Sequence, residues 1–252
     1  MKVALLQPKT IDLSPEQNRL TIERLMEGVK CDLVLLPEMF STGYKIDSES
    51  IAEPTEGPTL AWMKALAQRH NCAIVGTVAV EQRGKFFNRL YFCLPSGEEY
   101  HYDKHHLFTF AGEERTFSAG KERIIVEWRG VRILPLVCYD LRFPVWSYLP
   151  GKVDLILYSA SWAASRIGAW DTLLPARAVE NQAWVVGVNR VGEDSDHTPY
   201  NGHSAAYDHL GRKVVDCGED ECVKVIEVDP EKIATFRERF RAWQDADQFV
   251  IK

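Results

Sequence analysis

The sequence predicts a layered α/β domain, and three observations favour that class. Short apolar runs bounded by polar residues, Gly or Pro recur along the whole chain, as buried strands do. Segments with the apolar spacing of helices lie between them, so strands and helices alternate. The length of 252 residues, with 46% hydrophobic and 26% charged residues, suits one globular domain of this class. We therefore expect a single domain over residues 1–252.

Nine apolar runs are predicted to be strands. They cover residues 3–6, 33–36, 73–80, 90–94, 124–128, 131–137, 155–159, 184–188 and 223–228. Most of them are continuously apolar, which is typical of strands that are covered on both faces. Helices are therefore expected to shield the central strands.

Four segments are predicted to be helices. The first has Ser14 as its N-cap, Pro15 in the first turn and Gln17 at the position of a capping box. The second begins at Pro58, the third covers residues 167–182 and the fourth begins at Asp229. The apolar residues of the first are Leu20, Ile22, Leu25 and Met26, and those of the second are Leu60, Met63, Leu66 and Ala67. The segment 192–202, rich in Asp, Ser and Pro, is predicted to be a flexible insertion.

Composition argues against several classes of function. The net charge of −6 and the lack of a basic stripe make a nucleic-acid partner improbable, because phosphate binding needs clustered Lys and Arg. No apolar run has the roughly 20 residues of a membrane helix, and the N-terminus turns polar too early for a signal peptide. The six cysteines lack zinc-type spacing, so no metal is expected. We expect a cytoplasmic protein.

Three separate stretches carry side chains that make chemical sense together. They are LLPEMF at 35–40, YDKHH at 102–106 and VCYDLRFP at 137–144. They supply a carboxylate in Glu38, an ammonium in Lys104 and a thiol in Cys138. A thiol nucleophile needs a proton acceptor, and a reacting carbonyl oxygen needs a positive donor. The combination predicts an amide-cleaving site.

At these stretches the sequence resembles the nitrilase superfamily of carbon-nitrogen hydrolases. The resemblance continues through the segments 112–120, 177–181, 187–190 and 208–211, and residues 126–146 and 241–247 are most similar to bacterial omega-amidases. It implies a four-layer α-β-β-α sandwich, no cofactor and a homodimer. It also implies a second glutamate beside the lysine. Glu113 keeps the family's spacing to the segment 118–120, and Glu114 is its rival.

The omega-amidase resemblance also implies a class of substrate. Small monoamides of keto-dicarboxylic acids, such as 2-oxoglutaramate and 2-oxosuccinamate, would lose their terminal amide as ammonia through a cysteine thioester. The backbone NH of Tyr139 would assist Lys104 at the oxyanion, and Arg142 would bind the distal carboxylate. The residues expected to wall the pocket are Phe40, Tyr44, Phe110 and Trp162.

Other functions stay open at this stage. A nitrilase or carbamoylase of the same superfamily would share the three residues, and a catalytically silent member would act as a binding protein. A serine or Cys/His hydrolase would instead depend on His106 or on His203 and Ser204. Cys31, Cys72 and Cys93 lie in or beside apolar runs and are expected to be buried hydrophobic residues. Arg177 and Glu180, one helical turn apart, are expected to form a structural pair.

Overall fold

Two β-sheets stacked face to face form the centre of the molecule, and helices cover their outer faces. The computed structural model describes residues 1–251. Within these residues the strands are β1 (Lys2–Gln7), β2 (Leu33–Leu35), β3 (Glu53–Pro54), β4 (Ala73–Gln82), β5 (Lys85–Cys93), β6 (Glu99–Asp103), β7 (Val126–Trp128), β8 (Val131–Val137), β9 (Leu155–Ser159), β10 (Trp184–Val188), β11 (Val191–Glu193), β12 (Pro199–Asn201), β13 (Ala205–Tyr207), β14 (Lys213–Asp216) and β15 (Cys222–Glu227). The α-helices are α1 (Pro15–Met26), α2 (Ser48–Ile51), α3 (Pro58–His70), α4 (Pro144–Ser147), α5 (Ile167–Asn181) and α6 (Pro230–Arg239).

Both sheets have parallel strands at their centre. The first sheet has the order β15, β1, β2, β4, β5, β6, with β3 beside β4, and β1, β2 and β4 run parallel. The second has the order β14, β13, β10, β9, β8, β7, and β8, β9 and β10 run parallel. The carboxyl ends of parallel strands meet at one edge of a sheet. The segments that follow β2, β8 and β9 therefore emerge where side chains from distant parts of the sequence can meet.

Alternating residues of the strands build two different parts of the core. In β1, Val3 and Leu5 face the other sheet, whereas Ala4 and Leu6 pack with α1 and α3. In α3, the predicted face is fully buried, and α5 and α6 cover the second sheet. The architecture is the four-layer α-β-β-α sandwich that the resemblance implied. All nine predicted strands and all four predicted helices are present.

The start of α1 differs from the prediction. Ser14 stands at the N-cap position, but its hydroxyl donates to the carbonyl of Asp12 and no capping box forms. The buried amide of Asn18 instead fixes the preceding loop, since it bonds both the NH and the carbonyl of Ile11. Leu20, predicted to lie on the apolar face, is 61% exposed. The helix is real, but the prediction of its cap was wrong.

Residues 192–202 form a hairpin rather than a flexible insertion. β11 and β12 pair in an antiparallel manner, and Asp12 ties the hairpin to the rest of the molecule. Its carboxylate accepts a hydrogen bond from the backbone NH of Ser195 at 2.8 Å and pairs with Lys45 at 2.9 Å. The Asp, Ser and Pro residues of this segment predicted a loop, and the two paired strands are too short to give a periodic signal in the sequence. Within residues 1–251, no helix is both long and apolar enough to cross a membrane.

Candidate active site

Glu38 lies just beyond the end of β2 and is completely buried. Its carboxylate has three donors. Oε1 accepts from Nζ of Lys104 and from Nδ2 of Asn88, both at 2.8 Å, and Oε2 accepts from the backbone NH of Ser161 at 3.0 Å. A buried carboxylate needs such partners because it has lost its water. Glu38 is thus fixed in one orientation before any substrate binds.

Lys104 follows β6, and its ammonium group is also fully buried. It lies 2.8 Å from Oε1 of Glu38 and 2.8 Å from Oε2 of Glu113, and 5.5 Å from the centre of the Tyr44 ring. Burial by itself would lower the pKa of Lys104, but the two carboxylates outweigh it and hold that pKa well above its ordinary value. Lys104 is therefore a permanent cation at neutral pH.

Glu113 and Glu114 have opposite environments, which resolves the ambiguity left by the sequence. Glu113 is completely buried and also accepts a hydrogen bond from the backbone NH of Phe108 at 2.6 Å. Glu114 is exposed and pairs with the exposed Arg115 at 3.7 Å. The glutamate beside Lys104 is Glu113.

Asn88 connects the two carboxylates, and it was not among the residues predicted from the sequence. Its amide nitrogen donates to Glu38 at 2.8 Å and to Glu113 at 3.1 Å. It is completely buried on β5, where most neighbours are apolar or aromatic. A buried amide in such a strand signals a polar network, because an unpaired one is costly. That signal was available in the sequence, although its partners were not.

Cys138 stands at a sharp turn between β8 and a short 3-10 helix, Cys138–Arg142. Its φ is +44°, a left-handed conformation that is strained for any residue with a Cβ atom. The completely buried carboxylate of Asp140 holds this turn, since it accepts from the NH of Val137 at 3.0 Å and from the hydroxyl of Tyr102 at 2.7 Å. The geometry is that of a nucleophile elbow.

The thiol of Cys138 is kept neutral by its surroundings. Burial raises its pKa well above the ordinary value, and the charge of Glu38 raises it further, against the opposing effect of Lys104. The sulfur also lies 3.9 Å from the carbonyl oxygen of Ser161. A neutral thiol becomes a nucleophile only if a base removes its proton during attack.

A cavity of about 390 Å³, counted with its opening to solvent, joins these groups to the surface. We call the buried groups Glu38, Lys104 and Cys138 its inner end, and the aromatic and cationic side chains around the half-buried Arg142 and Arg166 its outer part. The eleven lining residues are Glu38, Tyr44, Lys104, Phe108, Cys138, Tyr139, Arg142, Ser161, Trp162, Arg166 and Tyr200. Glu38 is the one carboxylate among them, against three cations.

The outer part of the cavity is built around Trp162. The guanidinium of Arg142 lies over the Trp162 ring at 5.0 Å, and the indole NH donates to the carbonyl of Arg166 at 2.9 Å. The guanidinium of Arg166 lies over the Phe108 ring at 5.0 Å. Within residues 1–251, neither guanidinium has an acidic partner. Tyr44 also lines the cavity, and within residues 1–251 its buried hydroxyl has no hydrogen-bond partner.

Comparison with known proteins identifies the family. A model of the carbon-nitrogen hydrolase family matches residues 2–238 of this chain. The chain belongs to the carbon-nitrogen hydrolase family. Its members hydrolyse carbon-nitrogen bonds, in agreement with a buried thiol beside a carboxylate and an ammonium group.

Several known proteins are similar to this carbon-nitrogen hydrolase in sequence or in structure. Omega-amidase YafV of Yersinia enterocolitica is 42% identical over 253 residues, covering 100% of this chain and 98% of that protein. A 2-oxoglutaramate amidase of Bacillus subtilis is 33% identical and covers 87% of this chain and 86% of that protein. Among solved structures, a superfamily member from Xanthomonas campestris with an arsenic adduct in its active site has a TM-score of 0.96 at 41% identity. It covers 100% of this chain and 99% of that one.

Two of the predicted wall residues of this carbon-nitrogen hydrolase lie elsewhere. Phe40 is completely buried and packs 5.7 Å from Trp62 in the core between sheet and helix. Phe110 is 84% exposed and does not line the cavity. The aromatic residue that does line it in this segment is Phe108. Tyr44, Tyr139, Arg142 and Trp162 line the cavity.

The residues of the alternative hydrolase mechanisms lie outside the cavity. His106 bonds Asp140 at 2.8 Å, and His105 stacks on Trp146 with ring centres 3.7 Å apart. Ser204 donates to the carbonyl of Asn189, and the neighbouring His203 contacts Asp171. None of these four residues lines the cavity with Cys138. In residues 1–251 there is also no cluster of three or more His, Cys, Asp or Glu side chains fit to hold a metal.

Arg177 has the structural role that its spacing predicted, and a second one. It pairs with Glu180 at 3.0 Å. Two of its guanidinium nitrogens also donate to the carbonyl of Leu141, at 3.1 and 2.6 Å. Arg177 therefore anchors the loop that carries the nucleophile from the side of α5.

Proposed function

We propose that this protein is an omega-amidase, which hydrolyses the terminal amide of small keto-dicarboxylic monoamides through a thioester on Cys138. The observation that carries the proposal is the division of one cavity into two parts. Cys138 lies with a buried carboxylate and a buried ammonium at the inner end, and unpaired arginines lie at the outer end. A substrate with an amide at one end and a carboxylate at the other matches both parts. The names of the Yersinia and Bacillus relatives support this class.

The first half of the reaction forms the thioester. As the sulfur of Cys138 attacks the amide carbon, the thiol proton passes to Glu38 and the carbonyl electron pair moves to the oxygen. Lys104 and the backbone NH of Tyr139 stabilise the resulting oxyanion, a contribution of about 3 kcal/mol per donor. The carbon-nitrogen bond then breaks, and the nitrogen leaves as ammonia with the proton from Glu38.

The second half regenerates the enzyme. Glu38 takes a proton from a water molecule as the water oxygen attacks the thioester carbon, and Lys104 again stabilises the oxyanion. The carbon-sulfur bond breaks, the sulfur recovers its proton from Glu38, and the acid product leaves. Glu113 takes no proton in this scheme. It keeps Lys104 charged and in position, since it accepts a hydrogen bond from the same ammonium group. The steps use only these side chains and water.

The outer part of the cavity selects the substrate in this proposal. Arg142 presents a planar fork that suits a carboxylate, and the Trp162 ring beneath it limits its movement. Trp162 and Tyr44 also line the cavity. Asp140 accepts hydrogen bonds from Val137 and Tyr102 and contacts His106, and within residues 1–251 it forms no ion pair with Arg142.

An ammonia-release screen tests the proposed function. Purified protein is assayed with 2-oxoglutaramate and 2-oxosuccinamate, with neutral amides of similar length, and with nitriles and carbamoyl compounds. We expect the two keto-acid amides to have the highest kcat/KM, by about tenfold or more over neutral amides. Preference for a carbamoyl compound or a nitrile would assign another activity of the family. No turnover of any of them would favour a silent binding protein.

The homodimer and the cytoplasmic location stay predictions. For the dimer contact we propose the C-terminal aromatic residues Phe236, Phe240, Trp243 and Phe249. Phe240 is 59% exposed, Phe249 45% and Trp243 38%, which supports a contact surface there. Sedimentation equilibrium at micromolar concentration is expected to give twice the chain mass of 28.7 kDa, and the mass of one chain would contradict the dimer. All six cysteines are free, as is usual in a reducing compartment.

A further inference from the structure

The only contact recorded for the guanidinium of Arg166 within residues 1–251 is the one with the Phe108 ring. Arg166 occupies the N-cap position of α5 without a capping hydrogen bond from its side chain, a positive charge there opposes the helix dipole, and the first turn of α5 contains no acidic residue to offset it. No ion pair or side-chain hydrogen bond engages its guanidinium within residues 1–251. A residue placed against local electrostatic preference, and left unpaired, is expected to serve a ligand.

The position of Arg166 fits that expectation. Its guanidinium lies over Phe108 on one wall of the cavity, and that of Arg142 lies over Trp162 on another. Stacking on a ring engages the face of a guanidinium and leaves the N–H groups at its edge free to donate. The backbone carbonyl of Arg166 accepts a hydrogen bond from the indole NH of Trp162 at 2.9 Å, so Trp162 contacts the backbone of one arginine and the guanidinium of the other.

The charged side chains of the outer cavity are all positive. The single lining carboxylate, Glu38, is at the inner end and already has three donors. The nearby carboxylate of Asp194 does not line the cavity and accepts hydrogen bonds from the backbone NH of Thr198 and the hydroxyl of Tyr200. An ammonium group in the outer cavity would therefore meet two arginines and no free acid.

We infer that Arg166 is a specificity-determining residue that, together with Arg142, makes this enzyme select amides whose far end is a 2-oxo acid and reject amides whose far end is an α-amino acid. The inference rests on the proposed omega-amidase function and adds to it a residue that determines substrate specificity. One guanidinium binds the distal carboxylate, and the pair excludes the α-ammonium group by repulsion. The unpaired hydroxyl of Tyr44 is available to donate to a neutral 2-oxo oxygen.

The test compares Arg166→Gln with wild type on three amides of similar length, which are 2-oxoglutaramate, L-glutamine and a neutral aliphatic amide. We expect kcat/KM for 2-oxoglutaramate to fall by about tenfold to about a hundredfold, mainly through KM. The loss on the neutral amide is expected to be about threefold or less. The ratio of kcat/KM for 2-oxoglutaramate to kcat/KM for L-glutamine should fall by about tenfold or more.

Two further variants keep the result interpretable. Arg212→Gln, a change at an exposed arginine outside the cavity, is expected to match wild type on all three substrates. Arg166→Lys keeps the charge without the planar fork, so it should continue to reject L-glutamine while losing part of its kcat/KM for 2-oxoglutaramate. If the glutamine variant does not fold, the test is this loss of kcat/KM for 2-oxoglutaramate in Arg166→Lys, and an equal loss on the neutral amide would overturn the inference.

The outcomes separate this inference from the proposed function. Equal losses on all three substrates would mean that Arg166 only supports the loop, and an unchanged ratio of 2-oxoglutaramate to L-glutamine would also overturn the inference. Both results would leave the omega-amidase proposal intact, provided that the wild-type protein hydrolyses 2-oxoglutaramate. If the wild-type protein does not, the proposed function itself has failed.

Discussion

The inner and outer parts of the cavity differ in how far their charges are neutralised within the protein. At the inner end, Lys104 is completely buried and has both of its carboxylate partners at 2.8 Å. At the outer end, Arg142 and Arg166 contact aromatic rings but no acid. The inner groups are preorganised to stabilise the negative charge that develops on the oxyanion during the reaction. The outer groups have no acidic partner within residues 1–251 and are available to bind a carboxylate of the substrate. Changes at the inner end should therefore impair turnover of all substrates, and changes at the outer end should impair turnover of one class.

Removal of the nucleophile should have the largest effect. Cys138→Ala is expected to lower kcat on every substrate by about 10⁴-fold or more, because no other thiol lines the cavity. The variant should fold, since alanine replaces a side chain that makes only a long contact with the carbonyl of Ser161. The measurement is ammonia release with circular dichroism as the control. Substantial activity in a folded variant would contradict the thioester mechanism.

Replacement of the inner cation should come next. Lys104→Arg is expected to reduce kcat by about a hundredfold to a thousandfold, because a planar guanidinium cannot occupy the tight space between two carboxylates in the same way. The loss should be similar for charged and neutral amides. Lys121→Arg, an exposed position, is the matched control. Near-normal turnover in Lys104→Arg would remove the inner cation from the mechanism.

The two neighbouring glutamates provide a matched pair. Glu113→Gln removes one partner of a buried cation and is expected to lower kcat by on the order of a hundredfold, with about 3 kcal/mol of lost stability. Glu114→Gln alters an exposed side chain and should change neither quantity measurably. Steady-state kinetics and urea unfolding of both variants give the answer. Equal effects in the pair would contradict the assignment of Glu113.

The outer arginine that the sequence predicted should show a selective loss. Arg142→Met is expected to lower kcat/KM for 2-oxoglutaramate by about tenfold to about a hundredfold, the value of one charged contact. A neutral amide of similar length should suffer much less, because it brings no charge to the outer cavity. Arg212→Met is the control for a lost surface charge. If both substrates lose equally and the melting temperature is unchanged, Arg142 shapes the loop and does not bind the carboxylate.

The protonation state of the thiol gives the smallest and most specific effect. Because the pKa of Cys138 is raised well above 9.0, the folded protein should show no thiolate absorbance from this residue between about pH 6 and about pH 9. In the unfolded chain the thiol ionises near pH 9, so this group lowers stability as pH rises beyond that point. The thiolate absorbance of Cys138 is measured as the absorbance spectrum of wild type minus that of Cys138→Ala. A thiolate step below neutral pH would show a preformed ion pair instead.

The sequence predicted the layers and the inner end of the site more completely than the outer end. A buried strand such as β8 leaves a local apolar run, and Glu38, Lys104 and Cys138 stand in recognisable motifs at strand ends. The direction of a side chain outside such motifs depends on tertiary contacts. Phe40 and Phe110 were therefore misplaced, and Phe108, Ser161 and Arg166 were not found. Arg166 in particular contacts Phe108, which is distant in sequence, so no local pattern indicates that contact.

The caps and turns show the same limit on a smaller scale. Ser14 has the residue type of a helix cap, but Asn18 offers the preceding loop a stronger set of hydrogen bonds. The hairpin at 192–202 is held by Asp12, which is distant in sequence. Asp229, by contrast, caps α6 as predicted, because its partners Glu231 and Lys232 are local. Local partners are predictable from sequence, and distant ones are not.

The most direct test of the central claim is the intact mass of the protein quenched during turnover of 2-oxoglutaramate. A thioester is predicted to add the mass of the substrate's acyl group to the wild-type chain, and peptide mapping should place the adduct on Cys138. Cys138→Ala treated in the same way should carry no adduct. An adduct on another residue, or the same adduct on the alanine variant, would contradict the claim that Cys138 at the inner end of the cavity is the nucleophile.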